Sequence, residues 1–132
     1  MIGDAVIITD RGRGGGDDIW STSRGGVVPL GDALTLGGEA HGGNDNVHAG
    51  SNTDVVAYGD AETMTRSTKD GNDVVIGQST SGNVQVYGDA QTLSGSAAGG
   101  NDTLIANVGI PVPFNDRTQM YGDGAELLNR SH

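Results

Sequence analysis

The chain has 132 residues, a formal net charge of −10 and 24 glycines, with 4% aromatic residues and no cysteine. Its length predicts one domain, and its acidity excludes a nucleic-acid-binding protein that relies on a basic surface. The absence of cysteine excludes a disulfide framework and a thiolate metal site. No apolar run approaches the ~18 residues of a transmembrane helix, so we expect no membrane span.

A Gly-Asp marker recurs along the whole chain, and in four of its five copies Ala follows. The copies begin at Gly3, Gly31, Gly59, Gly88 and Gly122, at spacings of 28, 28, 29 and 34 residues. Such regular spacing predicts an internal repeat of about 28 residues. The predicted units span about 2–29, 30–57, 58–86 and 87–120, with a partial unit at 121–132.

A second marker, a glycine-rich turn that ends in Asp, runs in phase with the first. Its copies are Gly42–Asp45, Asp70–Asp73 and Gly99–Asp102, with Gly15–Asp18 as a looser first copy. The final Asp lies thirteen residues after the Asp of the first marker in three units, and Asp18 lies fourteen residues after Asp4. Two markers that hold the same register indicate one structural unit rather than chance.

Each unit carries three short runs of β type, separated by Gly, Asn, Ser and Asp. Examples in chain order are Ala33–Leu36, Val74–Ile76 and Val84–Tyr87. Apolar residues do not recur with helical spacing, so we place no helix in the body. The stretch Ala125–Arg130 either forms a short helical cap or begins a fifth coil.

A unit of this size cannot bury its apolar face alone, whereas stacked units can. We therefore predict an all-β fold, a right-handed parallel β-solenoid of about four and a half coils with three short strands in each. Neighbouring coils would lie ~4.8 Å apart, so equivalent residues form ladders. We expect inward ladders of Ile8, Leu36, Met64 and Leu93, and of Trp20, Val47, Val75 and Leu104, and a third on either face of Leu30, Tyr58, Tyr87 and Tyr121.

Stacking would also align acidic residues. One predicted column is Asp45, Asp73 and Asp102 with Asp18 as a fourth, and the other is Asp4, Asp32, Asp60, Asp89 and Asp123. Two carboxylates ~5 Å apart repel by roughly 3 kcal/mol at an effective dielectric constant near 20, and a cation between them reverses that sign. The alternative needs no metal: the carboxylates accept backbone N–H groups beside a ladder of Asn44, Asn72 and Asn101.

The segment Gly99–Leu104 and its copies resemble the RTX, or haemolysin-type, calcium-binding repeat. In that family, Gly carbonyls and Asp side chains of stacked turns enclose Ca²⁺ in a β-roll. The residues that match the family ligands are Asp45, Asp73, Asp102, Gly43, Gly71 and Gly100, with Asp18 in the looser copy. The family units are about nine residues long, two to a coil of about eighteen, whereas the unit is 28 here, so we expect calcium on one edge only. The resemblance implies secretion, although the N-terminus lacks the basic and apolar regions of a signal peptide.

No enzyme signature is found: there is no nucleophile elbow and no phosphate loop, and His41 and His48 are predicted to be solvated. We expect a non-catalytic, calcium-associated β-solenoid module with a structural or binding role. The alternative is a metal-free module that forms homo-oligomers through the solenoid ends or the loop Ile110–Asp116. Ice or polysaccharide binding ranks lower, because Thr35, Thr63 and Thr92 make a single rank.

Overall fold

The computed structural model describes residues 1–109 and 118–129, and every regular element in these ranges is a β-strand. The twelve strands are β1 (Ala5–Ile8), β2 (Asp18–Ser23), β3 (Ala33–Leu36), β4 (Asn46–Ser51), β5 (Val55–Tyr58), β6 (Ala61–Met64), β7 (Val74–Ser79), β8 (Val84–Tyr87), β9 (Ala90–Gly95), β10 (Thr103–Val108), β11 (Thr118–Tyr121) and β12 (Glu126–Asn129). In the described ranges there is no helix long and apolar enough to cross a membrane.

The strands stack into three parallel sheets, which together make a β-solenoid of about four turns. The first sheet has the order β1-β3-β6-β9-β12, the second β10-β7-β4-β2 and the third β11-β8-β5. The register follows the repeat, since Ala33 pairs with Ala61, which pairs with Ala90. The predicted fold class is confirmed, because every strand pairs with the strand one coil away rather than with its neighbour in sequence.

The first coil departs from the regular pattern in the third sheet. Where later coils have strands, it makes isolated bridges at Val27 and Leu30, which pair with Val55 and Tyr58. Pro29 lies between them and has no N–H to donate to a ladder. The third sheet therefore begins with β5 in the second coil.

The core follows the predicted ladders with one correction. Ile8, Leu36, Met64 and Leu93 are buried in one column, as predicted. In the second ladder the prediction of Trp20 was wrong: Ile19 pairs with Val47 and is buried, whereas Trp20 is 67% exposed. Trp20 pairs with His48 on the outer face, where their rings stack at 3.9 Å. Successive strand residues face opposite sides, so an error of one residue in the register of the first coil exchanges the inner and outer faces.

The third ladder faces inward. Leu30, Tyr58 and Tyr87 are buried, and the tyrosine rings at positions 58, 87 and 121 stack with centroids 4.9 Å apart. The hydroxyl of Tyr58 donates to Oε1 of Gln91 at 3.1 Å, so its polar end is satisfied. Burial raises the pKa of Tyr58 to about 12.

The C-terminal alternative is settled in favour of a fifth coil, because β12 pairs in parallel with β9, Leu127 lying opposite Leu93. The loop Ile110–Asp116, predicted as a contact for self-association, lies outside the described residues.

Candidate metal centre

Each coil contributes carboxylates from two turns, and the loop between these turns brings them together. Asp32 immediately precedes β3 and Asp45 immediately precedes β4. Their carboxylate oxygens lie within 4.8 Å of each other and of an oxygen of Asp60 in the next coil. The two predicted columns therefore meet inside the solenoid instead of forming separate edges.

Four such groups lie along the described part of the solenoid. They are Asp4, Asp17 and Asp32; Asp32, Asp45 and Asp60; Asp60, Asp70 and Asp89; and Asp70, Asp73 and Asp102. We call these nine residues the carboxylate core. Consecutive groups share a residue at Asp32, Asp60 and Asp70, so the groups form one continuous line.

The middle of the carboxylate core is shielded from water. Asp32, Asp60 and Asp89 have no exposed surface, and Asp45 and Asp73 are at most 2% exposed. Eight of the nine residues have at least one buried oxygen without a hydrogen-bond partner in the protein: Asp17, Asp32, Asp45, Asp60, Asp70, Asp73, Asp89 and Asp102. Burying an unpartnered polar atom costs free energy, and burying an unpaired charge costs far more. A buried row of this kind therefore requires bound protons or bound cations.

Part of each carboxylate in the Asn-Asp turns is held by the backbone. The amide of Asp17 donates to Oδ1 of Asp45 at 2.7 Å, and the amide of Asp45 donates to Oδ1 of Asp73 at 2.8 Å. The amide of Asp73 donates to Oδ1 of Asp102 at 3.0 Å. These bonds run from one coil to the next and fix the side chains, while the Oδ2 atom of each residue is left without a partner.

The carboxylates of the Gly-Asp turns are held by glycine amides of the same coil. Gly15 donates to Asp4 at 2.5 Å, and Gly43 donates to Asp32 at 2.8 Å. In the fourth coil, Gly100 donates to Oδ1 of Asp89 at 2.9 Å. Each of these bonds links the two turns that bracket one loop, and so it closes the loop at its base.

The predicted glycines at positions 43, 71 and 100 have a backbone role. A Cβ atom added to Gly71 would lie 1.5 Å from the carbonyl oxygen of Gly43, and one added to Gly100 would lie equally close to the carbonyl oxygen of Gly71. No side chain fits at that distance. Glycine is therefore needed for the coils to stack, and its amide is then available to the carboxylates.

Burial shapes the acid–base chemistry of the carboxylate core. From an ordinary value of 3.8, burial raises the pKa of Asp32 and of Asp45 to about 7, that of Asp89 to about 8 and that of Asp70 to about 9. Burial raises the pKa of Asp73 as well. Neighbouring carboxylates raise these pKa values further, and the backbone N–H donors oppose the shift.

Among the described residues, no Lys or Arg side chain forms an ion pair with the carboxylate core. Within residues 1–109 and 118–129, the one ion pair joins Arg11 to Glu39 at 3.1 Å, and both side chains are exposed. The acidic groups inside the solenoid are therefore not compensated by the one described ion pair, which lies on the surface.

The donor set fits a hard cation. All the side-chain donors in the four groups are carboxylate oxygens. Hard cations such as Ca²⁺ and Mg²⁺ prefer such oxygen ligands, whereas transition metals prefer nitrogen or sulfur ligands. Two oxygens that each lie about 2.4 Å from one Ca²⁺ are at most about 4.8 Å apart, and the oxygens within each of the four groups meet that limit. Calcium also tolerates irregular geometry better than Mg²⁺ does.

Asp45, Asp73 and Asp102 lie in the carboxylate core, but the predicted fourth member, Asp18, does not. Asp18 is the first residue of β2, is exposed, and accepts a hydrogen bond from Nδ2 of Asn46 at 2.8 Å. Asp17 occupies the inner position instead, because its amide bonds Asp45. The spacing carried this signal: Asp17 lies thirteen residues after Asp4, as in the other three units.

The column of Asp4, Asp32, Asp60, Asp89 and Asp123 was predicted, but its place beside the column of Asp45, Asp73 and Asp102 was not. Asp123 belongs to none of the four groups. The constant separation of thirteen residues was the available clue, because it means that both ends of the loop repeat in register. Asp70 was also missed as a member. It reads as a departure from the double glycine of the other copies, and nothing in the local sequence indicates that its side chain points inward.

The amide ladder also exists, on the outside. Oδ1 of Asn44 accepts a hydrogen bond from the backbone N–H of Asn72 at 2.7 Å, and Oδ1 of Asn72 accepts one from the backbone N–H of Asn101 at 2.9 Å. These bonds are exposed and run alongside the carboxylate core. The asparagine ladder and the buried carboxylates therefore coexist in the same turns.

Comparisons of the chain with protein-family models, with curated proteins and with solved structures found no match.

Proposed function

We propose that this protein is a non-catalytic β-solenoid module that binds Ca²⁺ along its carboxylate core and depends on the ion for stability. The observation that carries the proposal is the burial of Asp32, Asp45, Asp60, Asp73 and Asp89 with unpartnered oxygens. The ligands come from different coils and assemble only when the coils stack, so binding free energy adds to folding free energy.

Protons are the competing occupants of these carboxylates. With pKa values of about 7 to 9 for several members, the apoprotein holds protons at neutral pH. A divalent cation displaces them when its binding outweighs the cost of ionisation. High calcium concentrations favour that exchange, and extracellular modules bind Ca²⁺ with a Kd of about 10⁻⁴–10⁻³ M.

The resemblance of Gly99–Leu104 to RTX repeats supports the same ion and suggests a secreted protein that folds on meeting external calcium. The proposed coordination of the ion differs from the family pattern. In three of the four groups, the carboxylates of two different turns in one coil join a third from the next coil, whereas in the fourth group Asp70 and Asp73 belong to the same turn. The glycines of the motif contribute amide donors to carboxylates of these groups.

The test combines thermal unfolding with metal analysis of the purified chain. Near neutral pH, Ca²⁺ at a few millimolar is expected to raise Tm relative to the chelated protein, with a smaller effect of Mg²⁺. Elemental analysis after dialysis against Ca²⁺ measures the bound ions directly. Unchanged Tm and no retained calcium would reject the proposal.

A second candidate function is self-association, and exposed apolar side chains in the first coil favour it. Val6 is 59% exposed, Ile7 61% and Trp20 67%, and their strands lie at sheet edges within the described structure. Edge strands with apolar neighbours are templates for pairing with another chain. Sedimentation equilibrium at increasing protein concentration tests this, and a monomer at high micromolar concentration would exclude it.

A further inference from the structure

The third coil carries an aspartate where the other coils carry glycine. By register, Asp70 is equivalent to Gly14, Gly42 and Gly99. This position faces the carboxylates, because a Cβ atom added to Gly42 would lie 1.9 Å from Oδ1 of Asp60. The side chain of Asp70 therefore adds an acidic group to the carboxylate core that the rest of the repeat lacks.

Asp70 also changes the hydrogen bonding of its neighbour. The amide of Gly71 donates to Oδ1 of Asp70 at 2.6 Å. In the other three coils, the equivalent amide donates to the Asp of the Gly-Asp turn, as Gly43 does to Asp32. Asp60 consequently has two unpartnered carboxylate oxygens, with no exposed surface.

The geometry joins these carboxylates into one group. Oxygens of Asp60, Asp70 and Asp89 lie within 4.8 Å of one another. Both Asp60 and Asp89 are completely buried, and Asp89 has its Oδ2 atom free of protein partners. Asp70 belongs at the same time to the group with Asp73 and Asp102, so its carboxylate stands between two groups.

We propose that Asp70 creates the tightest cation site of the carboxylate core, a divalent-cation site formed by Asp60, Asp70 and Asp89. Asp60 supplies two oxygens to it, and Asp70 and Asp89 each supply at least one. Each of the four groups has three carboxylates, but in this one Asp60 keeps both oxygens free of protein donors, so more charged oxygens are available to the cation, and the affinity of oxygen-ligand sites rises with that number. The inference rests on the proposed function, because it ranks one site among those of the same core.

The aspartate at position 70 also destabilises the protein when no cation is bound. Asp70 places a further carboxylate beside Asp73 and Asp102, and like charges or shared protons in a buried site are unfavourable. Replacing Asp70 by Gly removes this cost. The amide of Gly71 then regains the partner that its equivalents have in the other coils, so Asp70→Gly restores the common repeat and is expected to fold.

Calorimetric titration of chelated protein with CaCl₂ tests the proposal on the wild type, Asp70→Gly and Asp18→Asn. Asp18→Asn is the matched control, since it removes one negative charge from an exposed residue outside the carboxylate core. Wild type and Asp18→Asn are expected to show one binding step tighter than the rest. Asp70→Gly is expected to lose that step or to weaken it roughly tenfold or more, and to melt at a higher temperature than the wild type in chelator.

The outcomes separate this inference from the proposed function. If the wild type binds Ca²⁺ but Asp70→Gly binds it with the same affinities, the Asp70 site is rejected and the carboxylate core remains a calcium site. If Asp18→Asn weakens the tight step as much as Asp70→Gly does, the effect is one of net charge and the inference also fails. If the wild type binds no Ca²⁺, both are rejected.

Discussion

The backbone amide of Asp45 donates to Oδ1 of Asp73, one coil further on, over 2.8 Å. This bond gives one carboxylate oxygen a structural task and leaves the other, Oδ2, without a protein partner. The two oxygens of Asp73 thus serve different purposes: one joins two coils, and the other is available to a cation. Substitutions can separate the two.

Asp73→Asn is expected to lower calcium affinity and to stabilise the chelated protein. Asparagine keeps an oxygen that accepts the amide of Asp45, but it removes a charge from a group with Asp70 and Asp102. Asp73→Ala also removes the acceptor and leaves a buried N–H unpaired, at a cost of about 1–3 kcal/mol. Urea unfolding of both variants in chelator, followed by calcium titration, measures the two effects. Equal stability of the two variants would contradict the structural role of Oδ1.

The stability of the chelated protein should fall as the pH rises. The pKa of Asp32 and Asp45 is about 7 in the folded protein and 3.8 ordinarily, so the folded state binds these protons more tightly than the unfolded state. This contribution is fully present below about pH 4 and is lost as the pH rises through about 7, and the corresponding contributions of Asp89 and Asp70 are lost as it rises through about 8 and about 9. Between about pH 5 and pH 9, Tm in chelator is expected to drop by ~10 °C or more.

On the proposed function calcium should reverse that trend, because the ion would bind the carboxylates in their ionised form. The increase in Tm caused by Ca²⁺ is therefore expected to grow with pH over the same range. Differential scanning calorimetry at matched ionic strength, with Ca²⁺ or with chelator, provides both curves. A Tm in chelator that is flat or rises with pH would contradict the buried, proton-binding state of the carboxylate core.

The repeat could be predicted from the sequence because its strongest signals are periodic. The 28-residue spacing of Gly-Asp-Ala, the alternation in Val84–Tyr87 and the turn residues between strands each depend only on local pattern. Parallel stacking then follows, since no single unit can bury its face. These signals sufficed for the three sheets and for the ladder through Leu36 and Met64.

The site was harder to predict because it depends on how the coil closes on itself. Asp32 and Asp45 belong to different turns, and only the path of the loop between them brings their oxygens within 4.8 Å. The side chain of Asp70 likewise points inward because of where the folded backbone places this residue in the third coil, which its neighbours in sequence do not indicate. In the first coil, two adjacent aspartates, Asp17 and Asp18, left the register ambiguous by one residue.

That register has a direct consequence for stability. Ile19, in strand β2 of the second sheet, is buried, whereas Trp20 is exposed and stacked on His48. Ile19→Ala should destabilise the protein by about 2–5 kcal/mol, because it leaves a cavity in the core. Trp20→Ala should cost under ~1 kcal/mol despite removing a larger side chain. Chemical denaturation compares them, and a larger loss for Trp20→Ala would reverse the assignment of faces.

The same register decides which of two adjacent carboxylates belongs to the carboxylate core in the first coil, and therefore which one the proposed function assigns to the cation. Asp17 shares a group with Asp4 and Asp32, while Asp18 bonds the side chain of Asn46 outside the carboxylate core. Asp17→Asn and Asp18→Asn change the net charge equally and differ by one position. Asp17→Asn is expected to reduce the number of Ca²⁺ ions bound at saturation or to weaken the weakest step several-fold. Asp18→Asn should bind as the wild type does.

Because Asp4 is exposed, the group of Asp4, Asp17 and Asp32 lies at the more open end of the carboxylate core, and loss of this group should leave the tight binding step intact. An effect confined to Asp18→Asn would show that the first coil binds through its outer face.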